Sequence, residues 1–481
     1  MVRDLRSWLD TVNELGLLRE IRGADWDLEI GCITDMNAKH KKYTLLFDEI
    51  RGYPRGFRVL TGALLDSARV ALSLGLPPTL KDMELVKAIK ERLSIASTSA
   101  KDFEPRYVKS APVFENTMEG DSVDVYKFPT PRWMAYDGGR YIGTADAVIT
   151  RDPDEGWVNV GTYRIMIQSK NTATILIEAP RHARPMIDKY WKRNEPCPIA
   201  VSLGHHPLIQ IFGGMEVPPR MSEYTYAGVM SGEPYEVVKG PVTGLPIPAD
   251  SEIVIEGYVL PETKPEGPFA EFVGYYAGGV TQSPLIKIEA VHYRDDPIIS
   301  GTIAGKPPHD YTYFRCPMRA ALIWDILEKA GIPGVVGVWC HEAGYSRAFT
   351  VVSIKQMYAG QNKLAGYVAA QCRPGAVTGR YVVVVDDDID PTNLNEVVWA
   401  MCSRSDPATG IDVIRDTIGS IIDPLADHSP DKDILEYTGS RGLIFATKPF
   451  SKMLRGEFPR VAEPDPETKK KVSEKWRHLF T

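Results

Sequence analysis

A chain of 481 residues exceeds one ordinary hydrophobic core, and its length predicts about two to four domains. With 43% hydrophobic and 25% charged residues it has the composition of a soluble globular protein. A net charge of -7 removes the electrostatic case for nucleic acid or an anionic membrane as partner, while small anions can still be held locally.

From Arg3 to Leu17, Leu5, Trp8, Leu9, Val12 and Leu15 recur at helical spacing, and the apolar runs "YTLLFDEI" and "FRVLTGA" read as strands. Helical patterns return at "LDSARVALSLGL" and "LKDMELVKAIKERL". The polar, Pro-bearing stretch from Ser97 to Trp133 is weakly periodic and holds a domain junction. Between Trp133 and Ala304 strands dominate: "TADAVITR", "WVNVGTYRIMIQ", "TATILIE", "PIAVSLG", "PLIQIFG", "EIVIEGYV", "LIKIEAVHYR" and "PIISGTIA". Many strands at short intervals predict a barrel or sandwich, broken by the helix candidates "PMIDKYWKR" and "SEYTYAGVMSG". From Pro317 onward "MRAALIWDILEKAG", "GVVGVWCH", "AFTVVSIKQ", "KLAGYVAAQC", "RYVVVVDD" and "NLNEVVWAMCSR" alternate helix and strand, predicting a largely parallel sheet covered by helices. The charged tail from Pro464 reads as a terminal helix, with Lys469 to Lys471 on a solvated face.

The six cysteines are scattered, with no C-x-x-C pair, so they read as reduced thiols. The N-terminus is charged and helical rather than signal-like, and no run of eighteen apolar residues occurs, so the expected location is cytoplasmic. Several motifs fail on inspection. "DDDID" has Pro391 where a calcium loop needs Gly, and helix capping is the better account. "HEAGY" at His341 has Tyr345 where a zinc protease needs its second histidine. No P-loop, strand-linked G-x-G-x-x-G or G-x-S-x-G elbow is present.

What remains is a set of polar residues in the strand-rich middle. "KPEGPFAEFVGYY" sets Glu266 and Glu271 five residues apart. On a strand that offset puts side chains on opposite faces, and on a helix it separates them by about 140 degrees, so only a bend brings them together. Gly267 and Pro268 supply one, since Pro fixes its own φ and Gly tolerates conformations other residues avoid. "NVGTYR" places Asn159 and Arg164 on one strand, where a shared site requires a bulge at Gly161 or a strand end at Asn159. His182 in "APRHARP" and Glu223 in "SEYTYAG" complete an Asn, His and carboxylate set that suits Mn or Mg bridging to phosphate more than structural zinc. Each residue alone reads better as a core or surface polar group, and only their joint order carries weight.

The joint order resembles the UbiD-type reversible decarboxylases that use prenylated FMN. The resemblance runs through "DWDLEIGCITD", "GGRYIGTADAVITRDP", "NVGTYRIMI", "SEYTYAG", "EIVIEGYV", "EGPFAEFVGYY", "SIKQMYAG" and "VVDDDIDPTNLNEVVWAM". It implies an α+β multidomain fold: an N-terminal α/β domain over residues 1–115, a split β-barrel flavin and metal domain over 116–310, and a C-terminal α/β oligomerisation domain over 311–481. It implies Asn159, His182 and Glu223 on a divalent metal, usually Mn, with K nearby, and a cofactor site including Thr162, Tyr163, Arg164, Arg181 and Lys355. Arg164, Glu266 and Glu271 match the family's catalytic network. The implied chemistry is non-oxidative decarboxylation through a covalent adduct with prenylated FMN, the cofactor serving as electron sink and Glu271 as proton donor. A flavin prenyltransferase is the implied cofactor supplier, and a homodimer or homohexamer the implied assembly. This chain departs from many relatives in having Ala270 where they have Gly, which raises the question of backbone strain beside Glu271. The implied substrate is an aromatic, heteroaromatic or α,β-unsaturated acid, with His309, Tyr311, Tyr313 and Phe314 as candidates to meet a ring, although core packing is the simpler reading of these side chains. Two other readings stand beside this one: a conventional FMN oxidoreductase on a split barrel, and a non-catalytic subunit of a carboxylase complex.

Overall fold

The computed structural model describes residues 4–177, 181–215, 217–429 and 436–479. Helix Leu5–Glu14 buries Leu5, Trp8, Leu9 and Val12 on one face, and Asp4 caps it by accepting from the Ser7 N–H. Strand Leu18–Arg22 and helix Glu29–His40 follow, both unanticipated. Strands Thr44–Asp48 and Arg58–Thr61 then form, as expected. These three strands take a fourth from far along the chain: Ile298–Ser300 pairs parallel to Arg58–Thr61. The run "PIISGTIA" therefore does not close the barrel. An apolar strand buried on both faces carries no alternation to show which sheet it joins, and here it completes the N-terminal one.

The central sheet has nine strands among the described residues and curls without closing, so the architecture is α+β with a half-barrel between two α/β regions. Its longest pair, Ile253–Glu266 and Thr281–Tyr293, runs antiparallel, with Glu266 opposite Thr281. The segment 267–280 is the connection between them. "WVNVGTYRIMIQ" is not one strand but two, Val158–Gly161 and Ile165–Ser169. The first is an edge of the sheet and the second lies next to the opposite edge, so Thr162 to Arg164 cross the open seam.

"PLIQIFG" is a helix, Pro207–Gly213, rather than a strand. Pro207 sits at its start and the His206 ring caps it by accepting from the Leu208 N–H, while burial of every residue leaves no periodicity in the sequence. The last residue of "TATILIE" and the Ala-Pro before Arg181 lie outside the described residues.

In the C-terminal region the strand order is Val335–Cys340, Phe349–Ile354, Tyr381–Asp386, Thr438–Ala446 and Ile411–Ile418. The three inner strands are parallel and both edges antiparallel, so the sheet is mixed. Helix Arg315–Lys329 joins this sheet to the rest through one apolar cluster that also contains Trp8, Phe212 and Tyr224. The aspartates of "DDDID" do not cap the next helix, whose cap is Asn393. Asp386 and Asp388 instead bind Arg404, and Asp388 also Lys448. The terminal helix Pro466–Lys475 forms and is fully exposed, Lys469 to Lys471 included.

Candidate active site

Strand Ile253–Glu266 ends by placing the Glu266 carboxylate in full burial. The chain then bends at Gly267, whose φ of 96° is in the left-handed region and whose missing side chain lets the Gly279 carbonyl approach. Four residues on, Glu271 returns to the same guanidinium. Arg164, on the seam, donates Nε and Nη2 to Glu266 Oε1 and Oε2, each at 2.9 Å, and Nη1 to Glu271 Oε1. The fork to Glu266 is the planar bidentate geometry that only arginine offers. Burial works against the Arg164 charge, and Glu271 and Glu266 outweigh it, holding the guanidinium protonated.

The segment before strand Tyr141–Gly143 clasps this acidic connection. Asp137 Oδ2 accepts from the Met134 N–H at 2.9 Å, and its Oδ1 accepts from the Ala270 N–H and the Tyr276 hydroxyl, both at 3.3 Å. Gly138 N–H donates to the Pro268 carbonyl at 2.8 Å, and the Tyr141 hydroxyl donates to Glu266 Oε1 at 3.0 Å. Burial pushes the Asp137 carboxyl from an ordinary 3.8 up to about 6 against these hydrogen bonds. Ala270 is buried and does not have a positive φ, so its methyl imposes no left-handed strain beside Glu271. Asp137 and Tyr141 were missed in the sequence, where nothing marks a contact across about 130 residues.

Glu271 and Arg164 line a cavity between the barrel and the C-terminal region, together with Thr162, Tyr163 and Arg181. Its lining also includes Phe272, Tyr311, Arg315 and Arg347. Arg315 lies 3.6 Å from the Tyr311 ring centroid and Arg347 5.5 Å from that of Phe272. Glu266 and Glu271 already offset Arg164, so Arg181, Arg315 and Arg347 are the lining cations that favour an anion in this cavity. Tyr311 thus faces the cavity, whereas His309, Tyr313 and Phe314 are buried in packing.

The seam is shaped by Gly161: a Cβ there would fall 2.5 Å from the Tyr163 ring. Thr162 is fixed by its hydroxyl donating to the Asp146 carbonyl at 3.0 Å and its N–H to the Gly213 carbonyl. Arg181 lies over the Tyr163 ring at 5.2 Å. Lys355 is not brought to this cavity; it is exposed past the end of strand Phe349–Ile354, its N–H bonded to the Gly334 carbonyl.

Of the residues expected on a metal, Asn159 and His182 are sequence neighbours of Gly161 and Arg181, and Glu223 reaches Val160 through the fold. Glu223 is buried and accepts from the Val160 N–H at 2.6 Å, next to Asn159, whose amide donates to Thr150 Oγ1. Burial pushes the Glu223 carboxyl up to about 8, and burial with Arg373 and Arg181 pushes His182 down to about 4. Burial outweighs the nearby Arg181 charge at Glu223, and a divalent ion would offset that cost while a neutral imidazole can serve as its ligand, so the pair fits a divalent ion. However, His182 Nε2 accepts from Arg373 at 3.1 Å, which would have to yield. Among the described residues no three His, Cys, Asp or Glu side chains gather as a metal site, and this set has only two of those types beside its asparagine.

Three family models match successive parts of the chain: the 3-octaprenyl-4-hydroxybenzoate carboxy-lyase N-terminal domain over residues 9–93, the Rift-related domain over 106–307 and the C-terminal domain over 312–446. The chain is 34% identical over 420 residues to a pyrrole-2-carboxylic acid decarboxylase of Pseudomonas aeruginosa, covering 84% of this chain and 83% of that one. The vanillic acid decarboxylase of Sedimentibacter hydroxybenzoicus in closed form superposes with a TM-score of 0.85 at 26% identity, covering 100% of this chain and 99% of the other. An evolved dimeric form of the UbiD-class enzyme HmfF from Pelotomaculum thermopropionicum, in complex with prFMN, superposes at 0.80 with 27% identity, covering 96% and 97%.

Proposed function

Because this chain belongs to the UbiD family of carboxy-lyases, we propose that it decarboxylates an aromatic, heteroaromatic or α,β-unsaturated carboxylic acid reversibly and without net oxidation. The observation that carries the reading is the buried Arg164 holding Glu266 and Glu271 on the wall of an arginine-lined cavity. Prenylated FMN, when bound, supplies the electrophile and electron sink for the carbon that loses CO2. Thr162, Tyr163, Arg164 and Arg181 would hold it, with Asn159, His182 and Glu223 carrying Mn, and K beside them, to anchor its phosphate. Lys355 is not part of this proposal.

Arg164 orients the substrate carboxylate and, through its fork to Glu266, keeps a fixed plane while doing so. Glu271 delivers the proton that replaces CO2, and Glu266 keeps the guanidinium charged. Phe272 and Tyr311 offer flat apolar surface to an aromatic ring. We further propose the division into domains of 1–115, 116–310 and 311–481, with the last driving self-association into a homodimer or homohexamer. A flavin prenyltransferase would supply the cofactor.

Coexpression with a flavin prenyltransferase, followed by cofactor mass, visible spectrum and a CO2-release assay on pyrrole, phenolic and acrylic acids, tests the reading. Prenylated cofactor and CO2 release from one class are expected. Unmodified FMN with hydride transfer and no CO2 release would point instead to an oxidoreductase, and no activity of either kind to a non-catalytic subunit.

A further inference from the structure

Loss of CO2 from a carboxylate consumes a proton, since R–COO⁻ and H⁺ give R–H and CO2. A carboxyl group that protonates the product carbon therefore ends each turnover as a carboxylate, and must recover a proton before the next. A donor reached only from the substrate side would have to wait for product to leave and water to enter the same space.

Glu271 is not confined to one side. Together with Arg164 and Ile422 it also lines a second cavity, which adds Gly278, Thr281 and Ser283 and contains none of the aromatic wall. Neighbouring Gln282 lines it too and is exposed at the surface. The Thr281 and Ser283 hydroxyls lie 3.1 Å apart, and Thr281 donates to Glu266 Oε2 at 3.5 Å, so hydroxyls line the wall behind the acid pair. Gly278 is the telling residue. Its φ lies outside the left-handed region, so its backbone does not call for glycine. A Cβ there would meet one atom within 4 Å, Glu271 Oε1 at 4.0 Å. The missing side chain thus keeps open space against the carboxylate.

We infer that this second cavity is the proton-entry chamber of Glu271: water admitted past Gly278 and Gln282, and held by the Thr281 and Ser283 hydroxyls, re-protonates the carboxylate from the side away from the substrate. The proton passes from that water to Glu271, the water regains one from solvent, and no oxidant or reductant is needed. The inference rests on the decarboxylase reading above.

The test uses the enzyme loaded with prenylated FMN and compares Gly278→Ala, Gly278→Val and Thr281→Val with the parent in rapid-quench and steady-state assays. A plugged chamber leaves the first turnover within about twofold of the parent and KM unchanged, while steady-state kcat falls by about tenfold or more in G278V and less in G278A. The deficit shrinks as pH falls and hydronium becomes plentiful. An unchanged kcat overturns the inference, as does a raised KM at constant kcat, which would make the cavity part of the substrate site. If G278V does not fold, G278A and T281V carry the comparison. A second readout needs no activity: in a crystal of the cofactor-free protein, ordered water in the chamber hydrogen-bonded to Glu271 and displaced in G278V supports the inference, and a dry chamber overturns it. Absence of decarboxylation by the parent enzyme would overturn the functional reading itself, leaving this crystallographic outcome to be judged separately.

Discussion

Arg164 keeps its charge although its side chain is nearly buried, because carboxylates meet it on two sides. Breaking such a buried pair costs about 3–5 kcal/mol, because the surviving partner keeps its desolvation penalty without its compensation. Asp137 shows the same physics on a smaller scale. Its carboxyl is raised by burial to about 6, so the folded protein binds that proton more tightly than the unfolded chain. By linkage, this group's contribution to stability is full below its unfolded value near 4 and declines as pH rises through 6. Two pH units at about 1.4 kcal/mol each set the scale at about 3 kcal/mol. Asp137→Asn removes the titration, so its melting temperature should gain on that of the parent as pH goes from 4 to 7; a constant difference across that range would contradict the assignment. The paired glutamates were legible because an offset of five with Gly-Pro between them demands a bend. Asp137, Tyr141 and Arg347 were not, because each acts through a partner distant in sequence.

Among the elements, the seam of the half-barrel matters most. A strand that ends at Gly161 and resumes at Ile165 on the other side of the sheet leaves Thr162 to Arg164 facing the cavity. Alternation within "WVNVGTYRIMIQ" signals strand but does not reveal that its two halves pair with different neighbours, so the need for a break was legible and its form was not. Helix Pro207–Gly213 was misread for a related reason: complete burial erases the polar face that distinguishes one period from another. Gly161→Val would force the Tyr163 ring from its place, since even a Cβ lies 2.5 Å from it. We expect that variant to fold with its melting temperature lowered and to lose flavin on gel filtration; retention of full flavin content would show that the seam tolerates displacement.

On the scale of the whole molecule, the N-terminal sheet takes its last strand, Ile298–Ser300, from beyond the barrel, tying the two regions together by backbone hydrogen bonds. Among the described residues, strand Ile411–Ile418 is the edge of the C-terminal sheet, and it exposes Ile411, Val413 and Ile418. An apolar open edge is a template for pairing with another chain, which supports the self-association proposed for this region. Val413→Lys should therefore reduce the mass measured by light scattering without lowering the melting temperature of the monomer; an unchanged assembly would move the interface elsewhere. The threefold organisation showed in the sequence as changes of period, whereas the strand shared between regions left no such mark.

The central claim, that Glu271 protonates the carbon from which CO2 departs, is tested most directly by turnover in D2O. Wild-type enzyme loaded with prenylated FMN should release CO2 and place one solvent deuteron on that carbon. Glu271→Gln should fold and bind the cofactor, yet form deuterated product at least about a hundredfold more slowly. Product formation by Glu271→Gln at the wild-type rate would contradict the account.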